Sequence, residues 1–151
     1  MSGPTQLHPA LKRREEEQRR LLDVARLYAR RLADLLPVRW VVVAGSVARG
    51  DFHDGSDVDV LVLSDHLPHE PLRRAEVLLS VVEGGVEPRG VRLDELPREL
   101  RRRNPLVVEA LTRGVVVYPE GRSLEDLRRD LRVEAPDPTG APRRRGIGRV
   151  L

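Results

Sequence analysis

At 151 residues and 40% hydrophobic content, the chain suits one domain with a three-layer core and is too short for two sizeable ones. It has no cysteine, which excludes disulfides and thiolate metal sites, and only 3% aromatic residues, so Leu, Val and Ala must build the core and few rings remain for stacking nucleic-acid bases. The 27 basic residues, all arginine except Lys12, exceed the 24 acidic ones by three. So small an excess, spread along the chain, is no nucleic-acid footprint; no apolar run approaches a membrane span, and the cytoplasm is the expected compartment.

Residues 1–10 lack periodicity and are expected to be unstructured. From Leu11 a long helix is predicted, with Glu15 facing Arg19 and Glu16 facing Arg20 in the favourable i, i+4 order on a solvated face. Leu21, Val24, Ala25, Tyr28, Leu32, Leu35 and Leu36 then recur at helical spacing as a stripe that can cover a sheet, and Pro37 ends the helix.

The stretch from Trp40 to Leu63 organises the chain. Trp40 to Ala44 is a short β-branched apolar run, as a buried strand requires, and it stops at Gly45. Gly45 permits a tight turn, and Ser46 to Gly50 can form one helical turn whose free N–H groups suit phosphate oxygens. Asp51 to Ser56 is a polar loop, and Val58 to Leu63 returns as a second strand. Side chains at i and i+2 of a strand share a face, which sets Asp57 and Asp59 roughly 6–7 Å apart, a spacing at which they can share Mg²⁺.

Pro71 suits the first turn of a third helix whose predicted buried stripe is Leu72, Ala75, Leu78, Leu79 and Val82, and Gly84-Gly85 stops it. A third strand is expected over Val86 to Leu93. Pro88 removes a ladder donor there and Gly90 suggests a bulge, so the strand is assigned to an edge or to irregular pairing. Asp94 is the expected cap of a short helix running to Arg103. Asn104-Pro105 reads as cap and first residue of the next helix, with Val107, Ala110 and Leu111 inward and Gly114 as its stop. Val115 to Tyr118 is a fourth strand, and Ser123 to Asp126 matches a capping box opening a last helix to about Leu131. Residues 134–151, rich in Pro, Gly and Arg, are expected to be a flexible basic tail.

Gly45-Ser46, a ten-residue gap and Asp57-Val58-Asp59 within apolar flanks resemble the signature of the polymerase-beta-type nucleotidyltransferase superfamily, and the compact form GSVARGDFHDGSDVDVLV is most similar to its minimal nucleotidyltransferases. The likeness spans roughly Trp40 to Pro119 and implies an α/β (α+β) domain: a mixed sheet of about four strands flanked by helices, within residues 11–133 with a core at about 38–119. No room is left for the accessory domains of template-directed polymerases or tRNA-tailing enzymes. The resemblance further implies that Gly45 and Ser46 hold nucleotide phosphates, that Asp57 and Asp59 bind metal in a two-Mg²⁺ site, and that a third carboxylate comes from a neighbouring strand. Glu87 is the best match for that acid and Glu83 competes with it; Glu87 can equally pair with Arg89 at a solvent edge.

Around this signature, Arg49 can give a phosphate two parallel hydrogen bonds or stay a surface arginine. Ser56 can bind a phosphate or cap the loop. His53 reads as a solvated loop residue, and Arg143-Arg144-Arg145 as a solvated run or a contact for RNA or an acidic partner. The reaction implied is transfer of a nucleoside monophosphate, AMP from ATP or another NTP, to a hydroxyl. Some members of the resembling group act as antitoxins that modify a toxin, so a partner protein such as a cognate toxin is one expected acceptor. A non-catalytic nucleotide- or partner-binding module with a degenerate site, and a basic nucleic-acid-binding protein, remain as alternatives; oligomeric state is left open.

Overall fold

The computed structural model describes residues 8–136. Its elements are helix α1 (Pro9–Leu35), strand β1 (Trp40–Ala44), helix α2 (Gly45–Arg49), strand β2 (Val58–Leu63), helix α3 (Pro71–Leu79), strand β3 (Val86–Val91), a 3₁₀ turn (Leu93–Glu95), helices α4 (Leu96–Arg101) and α5 (Pro105–Arg113), strand β4 (Val115–Tyr118) and helix α6 (Leu124–Leu131). The strands form one mixed sheet in the order β3-β2-β1-β4: β1 runs antiparallel to β2 and β4, and β2 runs parallel to β3. The expected α+β architecture is the one observed.

Alternation along the strands builds two apolar layers. Val41, Val43, Val58, Val60 and Val62 face α1 and α3, where Ala25, Tyr28, Leu32 and Leu78 meet them. Trp40, Val42, Leu61, Leu63 and Val91 face α4, α5 and α6, against Leu96, Val107, Leu111 and Leu127. Strand β1 is buried on both faces, which explains why its sequence is an unbroken apolar run. No described helix is long and apolar enough to cross a membrane.

Local signals placed most boundaries. Asn104 caps α5 by accepting the Leu106 N–H at 3.1 Å, and Ser123 and Asp126 satisfy each other's backbone N–H at 3.1 and 2.9 Å as a capping box on α6. Helix α1 starts at Pro9, two residues before Leu11, because the His8 ring caps it by accepting the Ala10 N–H at 3.2 Å. The remaining residues of the 1–10 and 134–151 segments lie mostly outside the described chain, as does Arg143-Arg144-Arg145.

Several expectations need correction. Arg20 pairs with Glu17, three residues back, and not with Glu16; both spacings put side chains on one helix face. In α1, Leu35 is exposed. Of the α3 stripe only Leu78 is buried, while Leu72 is 73% and Leu79 57% exposed, because α3 packs beside the outermost strand and only one side of it finds a partner. Strand β3 ends at Val91 and pairs with β2 residue for residue, without a bulge. A Cβ on Gly90 would come 2.7 Å from a Leu67 methyl and 2.9 Å from one of Leu78, so close packing, not a bulge, requires glycine there. The irregularity in the sheet falls between Val41 and Val42 against β4. Asp94 is not a helix cap: it lies inside the 3₁₀ turn, its carboxylate 3.3 Å from Arg92, and Glu95 accepts the Arg92 N–H at 2.9 Å.

Candidate functional site

The signature residues meet at one end of the sheet, on the α5 side. Register brings them there. Ala44 of β1 lies opposite Asp59 of β2, and Asp59 lies opposite Glu87 of β3. Val58 begins the parallel pairing by donating to the Gly85 carbonyl at 2.7 Å, so that Asp59 and Glu87 point the same way from adjacent strands. The β1–α2 turn completes the corner. Gly45 is buried with φ at 69°, and a methyl group on it would overlap the Asp59 carboxylate. Backbone conformation and the approach of Asp59 therefore both demand glycine at 45.

Two acids side by side in a partly buried corner repel. Burial raises the Asp59 pKa above its ordinary value, and the neighbouring Glu87 carboxylate adds to the rise, with a further contribution from Glu109 and an opposing one from Arg89. This donor chemistry suits a cation: a partly buried Asp59 carboxylate with the exposed Glu87 beside it, next to a turn of backbone N–H groups. Asp57 precedes the strand and is exposed, and among the described residues no three His, Asp or Glu side chains gather closely enough to hold a metal. Asp59 and Glu87 are thus brought together, whereas the expected set of three carboxylates is not assembled. Glu83 is directed elsewhere, 2.6 Å from Arg31 on α1. Glu87 also lies 3.3 Å from Arg89, the solvent-edge pairing that the sequence allowed.

The neighbouring residues divide. Arg49, on α2, is engaged by Asp51 at 3.1 Å and by Glu109 of α5. Ser56 caps the loop: its hydroxyl accepts the His53 N–H at 3.1 Å and lies 2.9 Å from His53 Nδ1, while its own N–H donates to the His53 carbonyl at 3.0 Å. Sequence reasoning missed Glu109, whose only local signal is an acid within the apolar run Pro105 to Leu111. It also took the first turns of α1 as a solvated face. Arg14 instead reaches the carbonyls of Gly50, at 3.1 Å, and Phe52, with its guanidinium 4.5 Å from the Phe52 ring centre. Gln18 donates to the Val47 carbonyl at 2.7 Å. Both fix the turn and loop that carry Gly45 and Ser46.

Known proteins resemble the chain in family and in fold. A family model described as a nucleotidyltransferase domain matches residues 25–130. A protein of Methanocaldococcus jannaschii named "Putative protein adenylyltransferase" is 32% identical over 83 residues, which are 52% of this chain and 56% of that protein, so the chain matches little more than half of that relative's length. The crystal structure of a "putative nucleotidyltransferase" from Sulfolobus solfataricus superposes with a TM-score of 0.50 at 26% identity, covering 64% of this chain and 85% of that one.

Proposed function

The chain belongs to the nucleotidyltransferase-domain family, and on that footing we propose that it transfers a nucleoside monophosphate, AMP from ATP, to a hydroxyl group on a partner protein. In this reading the acceptor oxygen forms a bond to the α-phosphorus while the bond from that phosphorus to the bridging oxygen breaks. The electron pair leaves with pyrophosphate, and the hydroxyl proton passes to Glu87. Gly45 and Ser46 offer backbone N–H groups to the phosphates. Asp57, Asp59 and Glu87 are the groups that would hold Mg²⁺, which supplies charge neutralisation for the triphosphate against the carboxylates. Arg49 turns from Asp51 and Glu109 to a phosphate when one is present, and Ser56 keeps the intervening loop in shape.

The observation that carries this reading is the pairing of Asp59 with Glu87 beside a glycine against which the Asp59 carboxylate packs. A second reading, a non-catalytic nucleotide- or partner-binding module, is favoured by one fact: the three acids are not gathered among the described residues. Substitution separates the two. Calorimetry with Mg²⁺ should show much weaker ATP binding for Asp57→Asn combined with Asp59→Asn. Glu87→Gln should keep ATP binding and lose transfer of label from ATP to acceptors in a lysate, because the third acid matters most when the acceptor oxygen loses its proton. Glu83→Gln should transfer at the wild-type rate. Label transfer surviving Glu87→Gln but lost in Glu83→Gln would reassign the third acid, and absence of transfer by wild type would favour the module.

A further inference from the structure

Glu109 sits in a helix that otherwise turns Val107, Val108, Ala110 and Leu111 into the core. One turn on, Arg113 offers it the favourable i, i+4 partner on its own helix. Its ion pair is instead with Arg49 at the end of α2, 60 residues away in sequence. Helix α2 does not need that tie. Val47 is buried, Gln18 donates to the Val47 carbonyl, Arg14 holds the carbonyls of Gly50 and Phe52, and the Gly50 N–H closes the helix on the Ser46 carbonyl. What the pair fixes is the direction of the Arg49 guanidinium. We propose that Glu109 is a positioning residue that withholds Arg49 from a bare triphosphate and releases it to one that arrives with a divalent cation. The proposal rests on the nucleotidyl-transfer reading above, in which Arg49 serves the phosphates.

The guanidinium is engaged from two sides, with Nε on Asp51 and Nη1 on Glu109. A phosphate seeking two parallel hydrogen bonds must therefore displace a carboxylate. The two acids hold unequally. The Asp51 side chain is 63% exposed and that of Glu109 28%, so water screens the first pair more and the second is the stronger restraint.

Glu109 also lies close enough to Asp59 to add to the rise in the Asp59 pKa. It thus faces the guanidinium on one side and the acid pair on the other. A bare triphosphate that takes Arg49 strips Glu109 of its counter-charge and comes to lie beside three carboxylates, Asp59, Glu87 and Glu109. When a divalent cation accompanies the triphosphate, the replacement charge arrives with the ligand, and the exchange of partners leaves no acid uncompensated. Glu109 in this way makes the site discriminate between free and cation-bound phosphates without touching either.

The test is calorimetry of inorganic triphosphate binding to the full chain, in EDTA and in Mg²⁺. In EDTA, Glu109→Gln should tighten binding about fivefold, the scale of one well-placed ion pair, and Asp51→Asn should tighten it less. In an Arg49→Gln background the Glu109→Gln gain should shrink below about twofold, because no guanidinium is left to release. With Mg²⁺ present, the gain in the otherwise wild-type chain should also shrink below about twofold. No gain in EDTA, a larger gain from Asp51→Asn, or an undiminished gain in the Arg49→Gln background or in Mg²⁺ overturns the proposal. The third of these results would reduce Glu109 to a general negative charge, and a fallen thermal midpoint with no gain would make it a structural tie. Failures of the two readings differ. If wild type labels a lysate acceptor from ATP and Glu109→Gln leaves triphosphate affinity unchanged, the positioning role falls and transfer stands. If the gain appears and depends on Arg49 but no acceptor is ever labelled, Glu109 governs a nucleotide-binding module and transfer falls.

Discussion

Gly45→Ala is the substitution for which the structure gives the fullest account. Two independent costs meet at this position. The backbone has φ at 69°, where an L-residue costs about 1–2 kcal/mol relative to glycine. The added methyl would also overlap the Asp59 carboxylate, which must swing off its rotamer at about 0.5–1.5 kcal/mol. The sum is about 1.5–3.5 kcal/mol. Only the second cost involves Asp59, so Gly45→Ala made in an Asp59→Ala background should lose about 1–2 kcal/mol, leaving a coupling energy of about 0.5–1.5 kcal/mol in a double-mutant cycle. Urea denaturation of the four proteins in EDTA measures each value, provided the slope with denaturant stays constant. Zero coupling, or a full-sized loss in the Asp59→Ala background, would refute the claim that the carboxylate sits over the turn. The single Gly45→Ala protein should also lose Mg²⁺-dependent ATP binding even where most molecules remain folded.

Other perturbations report on single contacts. Asp59→Asn in EDTA should raise the thermal midpoint, because it removes a partly buried charge and its repulsion with Glu87 and Glu109; a lower midpoint would mean that the charge is satisfied in a way the contacts do not show. Asp130 accepts hydrogen bonds from Arg39 at 2.7 and 3.0 Å and from the Trp40 indole at 2.9 Å, and these hold its pKa below the ordinary value, Arg39 foremost. A carboxylate depressed in the folded state stabilises above its unfolded pKa and loses that contribution as pH falls through the folded one. The midpoint deficit of Asp130→Asn should therefore be full at neutral pH and shrink in strong acid, and a deficit independent of pH would assign it to shape, not charge. Gly90→Ala should cost about 1–3 kcal/mol through overpacking against Leu67 and Leu78, with part recovered by Leu78→Val; a neutral Gly90→Ala would remove the packing explanation for this glycine.

Legibility of the sequence followed the range of the forces involved. The β1–turn–β2 unit, the Asn104 and Ser123 caps and the edge placement of β3 are set by contacts within a few residues or by a missing N–H, and composition and spacing announce them. Contacts between distant segments were silent. The burial of α3 depends on where the sheet ends, which no stripe of leucines encodes, and Gly90 answers to side chains that arrive from residues 67 and 78. The acid pair shows the same limit. The Asp57–Asp59 spacing is visible in the chain, but the pair that shares a face at close range is Asp59 with Glu87, 28 residues apart in the sequence, and only the parallel register of β2 and β3 creates it. Glu109 and Arg14 reach the site in the same non-local way.

That register also bears on whether the site works or is a remnant. Like charges opposite each other on neighbouring strands destabilise a sheet, and the structure sets Asp59 against Glu87 in a partly buried corner, with Glu109 close by. Elsewhere the described chain follows local rules: alternation fills both apolar layers, helices α5 and α6 are capped, and Pro88 lies on the outer strand, where its missing N–H breaks no central ladder. The opposed like charges stand where the turn, the acid pair and the Arg49 ion pairs meet. One neutral residue at 59 or 87 would relieve the repulsion without disturbing either apolar layer, so the fold has no need of both charges. A cation escorting a triphosphate does need them. This asymmetry favours a nucleotide-binding site over a module that works through surface contacts alone, and ATP affinity in Mg²⁺ against EDTA separates those two, whereas only transfer of label separates catalysis from nucleotide binding.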